Sequence, residues 1–126
     1  MPFRPKFLRA EKVVLIEGEG EITTDDIATC LRFVDAQGAH RYRKLIDARR
    51  VTNEVSDKVA DGLVSLARSR EALGASGGLA LVMRPGTSLR RLAERTAEGA
   101  PAHRPVRVFD TFEEAWQWLS QIDSVD

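Results

Sequence analysis

One stretch constrains this chain more than any other: Tyr42-Arg43-Lys44-Leu45-Ile46-Asp47-Ala48-Arg49. Its apolar centre reads as a buried strand, and Asp47 closes it before the basic pair Arg49-Arg50. Segments with helical periodicity flank it on both sides. Val13 to Ile16, Leu79 to Met83 and Val106 to Phe109 are further short apolar runs rich in β-branched or aliphatic residues, each suited to a strand. Strands alternating with helices predict parallel pairing through right-handed crossovers. The order is β-β-α-β-α-β-α-β-α. The fold class is therefore α/β, a single mostly parallel sheet of about four to five strands with about four helices.

The helix boundaries carry their own signals. Thr23 or Thr24 can cap the first helix by accepting a backbone N–H, which contributes about 1 kcal/mol. Asp25 and Asp26 then sit where the helix dipole favours negative charge. Ile27, Cys30, Leu31 and Val34 follow the i, i+3, i+4, i+7 rule, and Gly38 ends the helix. Cys30 lies on that stripe and reads as a small core residue. Val51 to Val55 is a loop, and Ser56-Asp57 opens the second helix with Val59, Leu63, Leu66 and Ala67 inward. Gly62 weakens it by ~1 kcal/mol relative to alanine, and lets another backbone come close. Gly74 to Gly78 ends it. Thr87 or Ser88 caps the third helix, with Leu89, Leu92 and Ala93 inward. Glu98 to Arg104 is a loop. Asp110 or Thr111 caps the last helix, and Thr111 to Glu114 has capping-box spacing. Phe112, Ala115, Trp116 and Leu119 form its core face, with Trp118 to the side. Phe3 to Arg9, interrupted by Pro5, fits an antiparallel edge strand or an arm. Asp123 to Asp126 fray.

Size and charge narrow the function. The 126 residues make one domain, 1–126, long enough for a core without disulfide or metal. Nineteen basic and nineteen acidic side chains balance, which argues against a nucleic-acid partner. No stretch approaches the ~20 apolar residues of a membrane span. Val13 to Ile16 is too short for a secretory signal. The expected location is the bacterial cytoplasm.

The layout resembles the STAS-like domains, the fold of bacterial anti-sigma factor antagonists. It is most similar to small stand-alone proteins of the SpoIIAA-like, STAS/SEC14 type. Gly20-Glu21-Ile22-Thr23-Thr24-Asp25-Asp26, then Tyr42 to Arg49, then Leu79 to Val82 carry the resemblance. Val106-Arg107-Val108-Phe109 and Glu114-Ala115-Trp116-Gln117-Trp118-Leu119 complete it. The resemblance implies a regulatory module. In the antagonists a helix begins Asp-Ser-Ser/Ala-Gly, and its serine is phosphorylated by a partner kinase. This chain has Asn53-Glu54-Val55-Ser56-Asp57-Lys58 instead. Ser56 is the nearest substitute, and Glu54 and Asp57 would repel a phosphate there. An N-cap role for Ser56 is the better reading.

Catalytic signatures are absent. His40 stands at a strand entry and His103 in a Pro-flanked loop, neither in a catalytic pattern. No HxxxH or CxxC spacing suggests metal, and no cofactor is expected. Asp47 lacks the acidic pair that a receiver-domain phosphoacceptor needs, so its default is a structural bond to Arg49 or loop N–H groups. Gly74 to Gly78 follows a helix rather than a strand, so it is a turn and not a phosphate loop.

Two readings remain. The first is a non-enzymatic regulatory or protein-interaction module. It binds a protein partner, or itself as a homodimer, through helix faces and the loop after Asp47. Trp118 and Phe33 are aromatics off the core stripes and suit an interface. The alternative is a binder of a small ligand, lipid-like or anionic, at the rim beyond the strand carboxyl ends. That rim gathers Glu19, Asp47, Arg49, Arg50, Arg84 and Thr87. The length leaves little room for a lipid cavity. A large apolar pocket between helix and sheet favours this reading, and a packed core removes it.

Overall fold

A computed structural model describes residues 2–71, 77–100 and 104–122, with the side chains at 64, 67, 68 and 71 not described. His103, the Ala67 side chain expected on the inward face, residues 74–76 of the expected glycine turn and residues 123–126 therefore lie outside the described residues. The elements are β1 (Phe3–Leu8), β2 (Val13–Gly20), α1 (Thr24–Ala36), β3 (Arg43–Val51), α2 (Asp57–Glu71), β4 (Leu79–Val82), α3 (Ser88–Glu98), β5 (Val106–Phe109) and α4 (Phe112–Gln121). This is the expected order.

The five strands lie in the sheet as β1-β2-β3-β4-β5. β1 is antiparallel to β2, and the other pairs are parallel. Each crossover moves one place in the same direction. Right-handed connections then put α1, α2 and α3 on one face. The core follows that division. Phe3, Val14, Ile16, Ala48, Leu81 and Met83 pack toward the α1–α3 layer with Cys30, Val34, Leu89 and Ala93. Val13, Leu45, Ala80 and Val82 point the other way and meet Ala115 and Leu119 of α4. The period-2 alternation of the strands produces both sets.

Capping is as the sequence foretells. The Thr23 side chain accepts from Asp26 N while the Asp26 carboxylate accepts from Thr23 N, a reciprocal box. Thr87 accepts from Arg90 N, and Thr111 from Glu114 N. The far end of α4 is held by Arg43. Its guanidinium donates to the carbonyls of Leu119 and Ile122, both at 2.9 Å, and to Glu11 O at 2.6 Å. A cation on those carbonyls also suits the negative end of the helix dipole.

Two expectations need correction. Asp47 does not close β3, which runs on to Val51. After a register shift between Glu17 and Glu19, β2 continues to pair with β3 through Glu19–Arg50 and Gly20–Val51. Only the β3–β4 ladder stops at Asp47, opposite Val82. Gly62 does let α1 and α2 approach closely, but the neighbour is a side chain. A Cβ there would lie 3.0 Å from Thr24 Oγ1.

Candidate functional site

An apolar cavity of about 550 Å3 lies between the sheet and the α1–α3 layer. Ile16, Ile46, Ala48, Leu81 and Met83 form its floor, and Ile27, Cys30, Leu31, Leu63, Leu92 and Ala93 its roof. That volume falls within the usual range for small-molecule sites. It arises because small residues stand where a helix–sheet contact normally places large ones. Ala48 on β3, Ala60 on α2, Ala93 on α3 and Gly99-Ala100 after it all line the space. α2 packs against α1. α2 thus forms a cover over the floor. Ala60, Leu92 and Arg95 also line a second groove on the outer side, between α2 and α3. The two spaces therefore adjoin at residues of α2 and α3. Cys30 is buried against the cavity, and that burial pushes its thiol pKa up despite the nearby Arg70 charge, so it is a poor nucleophile.

Both ends of α2 are tied down. At its start, Ser56 Oγ accepts from Val59 N at 3.3 Å, the geometry of an N-cap. Val55 N donates to Ser88 Oγ, whose hydroxyl in turn donates to Glu54. Asn53 clamps Ile22, accepting from its N–H at 2.9 Å and donating to its carbonyl at 3.0 Å. At the far end, Arg70 donates to both oxygens of Asp35 at 2.9 and 3.1 Å. His40 Nδ1 lies 3.2 Å from Asp35, so this histidine belongs to the ion cluster, and its buried Nε2 has no hydrogen-bond partner among the described residues. Burial alone would raise the Asp35 carboxyl pKa. The Arg70 and His40 bonds and charges outweigh it and hold the group below the usual range.

Lys44 lies beside this cluster. It is 6% exposed, on the cavity side of β3, and its Nζ donates to the carbonyls of His40 and Tyr42 at 2.8 and 3.0 Å. Burial, with the Arg70 charge adding to it, pushes the amine down to about 8.

The rim residues named from sequence do not converge. Asp47, Arg49 and Arg50 line a shallow cleft of about 360 Å3 with Arg4, Glu17 and Gly18. Asp47 and Arg49 belong to the α4 side of the sheet, opposite the cavity. There Asp47 accepts from Arg49 Nε at 3.0 Å and Nη2 at 2.7 Å. Burial pulls its pKa up, but the side-chain and backbone bonds from Arg49 and the charge of Arg50 hold it down. Arg4 bridges Glu17 and Glu19 at 3.3 and 3.2 Å in the open. Arg84 donates to Val51 O at 2.9 Å, and the Thr87 hydroxyl donates to Arg84 O at 3.1 Å. Their crevice holds about 20 Å3, enough for a single water. Trp118 is half-buried, its ring 5.6 Å from that of Phe109, so it covers a flank of the α4 core. Phe33 is 45% exposed, as its position off the stripe predicts. Its ring lies 6.1 Å from that of Phe7.

The sequence reading missed the cavity and the Lys44–His40–Asp35–Arg70 cluster. The run of alanines facing a predicted sheet was the available signal for the first. A lysine on the inward parity of a buried strand was the signal for the second. Among the described residues, no group of three or more His, Cys, Asp or Glu is placed to hold a metal ion. No helix in that set is long and apolar enough to cross a membrane.

Comparison with known proteins agrees with this architecture. The chain belongs to the SpoIIAA-like family, whose model matches residues 13–120. It is similar to an uncharacterized protein of the DUF3478 family with a SpoIIAA-like fold, from Shewanella loihica. That match has a TM-score of 0.64 at 14% identity, over 93% of this chain and 91% of the other. It is also similar to the anti-sigma factor antagonist SpoIIAA in its unphosphorylated form. There the TM-score is 0.59 at 18% identity, over 95% of this chain and 99% of that one. A search of curated proteins finds no match. At these identities the two structures show a shared fold.

Proposed function

We propose that this SpoIIAA-like chain is a non-catalytic binding module that takes a small apolar ligand between its sheet and the α1–α3 layer. One observation carries the reading: the 550 Å3 mostly apolar cavity between the sheet and the helix layer, with α2 in its roof. The ligand-binding alternative raised from sequence thus gains support, with its site moved from the rim to the helix-covered face. Concave, mostly apolar sites of this size take apolar molecules readily, because filling them removes apolar surface from water and adds dispersion contacts. The test is a fluorescence titration with the neutral dye N-phenyl-1-naphthylamine. Saturable one-to-one binding, lost when Ala93→Phe fills the space, is the expected result. Binding unchanged in that folded variant, or no binding at all, overturns the reading.

A regulatory or interaction role is the second reading. It draws on the half-exposed Phe33 against Phe7 and on the antagonist fold. Sedimentation of the wild type and Phe33→Ser tests the self-association form. A dimer that the substitution dissociates supports this face as the contact.

A further inference from the structure

The cavity has a long axis and two unlike ends. Its lining reaches from Phe3 on β1 to Leu81 on β4, three strand spacings or roughly 14 Å, and on to Ala100 beyond α3. Spread along that axis, the 550 Å3 leaves a width of roughly 6–7 Å. At the β1–β2 end Phe3, Ile16, Ile22 and Cys30 are buried, and Ile27 adds to the same apolar wall. Toward α2 and α3 the lining changes character. Among the described residues, those that both line the cavity and are exposed are Asp61 of α2 with Arg95, Thr96 and Gly99 at the end of α3. One end is therefore dry and the other wet. The wet end carries charges of both signs, a carboxylate from Asp61 and a guanidinium from Arg95. Arg104, also in the lining, has an interaction of its own. The Thr96 hydroxyl donates to Leu92 O at 2.9 Å and keeps lone pairs with which to accept. A charged head of either sign is attracted by one of Asp61 and Arg95 and repelled by the other. A hydroxyl or amide can donate to the carboxylate and accept from the guanidinium at once.

We infer that the ligand of this cavity is a single-chain amphiphile with an uncharged, hydrogen-bonding head. Its head lies among Asp61, Arg95 and Thr96, and the far end of its chain lies against Phe3, Ile22 and Ile27. The inference rests on the cavity reading above and adds the ligand's shape, direction and head. An unbranched chain suits a space longer than it is wide, and each methylene it buries raises affinity about fourfold. A polar group at the dry end would lose its water and find no partner there.

The experiment measures displacement of N-phenyl-1-naphthylamine from the wild-type chain, with each competitor below the concentration at which it self-associates. Affinity is expected to rise about fourfold per methylene from 1-hexanol to 1-decanol. 1,10-Decanediol is expected to bind at least about tenfold more weakly than 1-decanol, because its second hydroxyl must enter the dry end. Decanoate and decylammonium are expected to bind no tighter than 1-decanol. Intermolecular NOEs of bound 1-decanol then read its direction. The terminal methyl is expected to meet Ile22 and Ile27, and the hydroxyl-bearing methylene the Thr96 methyl. Equal affinity for the diol, a tenfold preference for either ion, or NOEs in the reverse order overturns the inference and leaves the cavity reading standing. Dye that binds but is not displaced by 1-decanol does the same. Failure of the dye and of 1-decanol to bind at all overturns the two together.

Discussion

Arg70 of α2 grips Asp35 of α1 through two hydrogen bonds, one to each carboxylate oxygen, at 2.9 and 3.1 Å. The side chains are 15% and 25% exposed, so water screens the pair only in part. This contact fixes the end of α2 that lies farthest from the Asn53 clamp. It is a fastening of the cavity's cover as much as a surface ion pair.

Arg70→Met is expected to lower stability by roughly 1–3 kcal/mol, between the cost of losing an exposed pair and that of breaking a buried one. Urea unfolding at pH 7 measures it. The acid dependence has a definite sign. The Asp35 carboxyl lies below its ordinary 3.8 in the folded state. Its contribution is therefore present above that value and is lost as pH falls through the lower, folded one. Arg70→Met should show a smaller acid-side loss than the wild type. An unchanged urea midpoint would mean that the pair contributes nothing.

Lys44 gives a slope of the same sign on the basic side. Its folded pKa is about 8 against an ordinary 10.5. Between those values the unfolded chain holds a proton that the native protein has released. Stability therefore rises with pH across this window, by up to about 3 kcal/mol in total. Lys44→Met abolishes that rise. Parallel urea titrations of both proteins from pH 7 to 10.5 check it. Curves that run parallel would show that the amine is not desolvated.

Asn53 joins the loop before α2 to the loop before α1 through both polar atoms of its amide. Asn53→Ala leaves the Ile22 N–H and carbonyl without these partners. The expected cost is about 1–2 kcal/mol, read from the shift in urea midpoint at constant slope.

Two glycines should respond differently to alanine. A Cβ on Gly77 would stand 2.6 Å from the Arg43 nitrogen and 2.7 Å from the Tyr42 carbonyl carbon, both backbone atoms. Relief requires β3 itself to move, and roughly 2 kcal/mol or more is expected from such overpacking. Gly20 has nothing within 4 Å but a φ of +77°. Its replacement is expected to cost about 1 kcal/mol, the penalty of a side chain in the left-handed region. Thermal unfolding of the two variants ranks them.

Much of this fold was legible because its signals are local. Thr23, Thr87 and Thr111 mark helix starts by hydroxyl chemistry that works within four residues. Val13 to Ile16 and Leu79 to Val82 declare interior strands by composition. What escaped depends on partners distant in sequence. Asp47 looked like a strand end because the apolar run stops there, yet pairing with β2 carries β3 to Val51. The rim residues looked convergent because they all stand near strand ends, but strand parity and position divide Asp47 and Arg49 from Arg84 and Thr87. Trp118 looked free because it lies off its helix's stripe, and Phe109 from β5 fills that side. The cavity is the least legible feature. It consists of volume not filled by Ala48, Ala60 and Ala93, which only the assembled layers reveal.

The central claim is tested most directly by methyl NMR during titration with 1-decanol. The account predicts saturable shifts of Ile16, Ile46, Leu81 and Leu92, which line the cavity, with Leu45 and Leu119 under α4 nearly still. Shifts confined to the Phe33 surface, or no saturable shift at all, would contradict it.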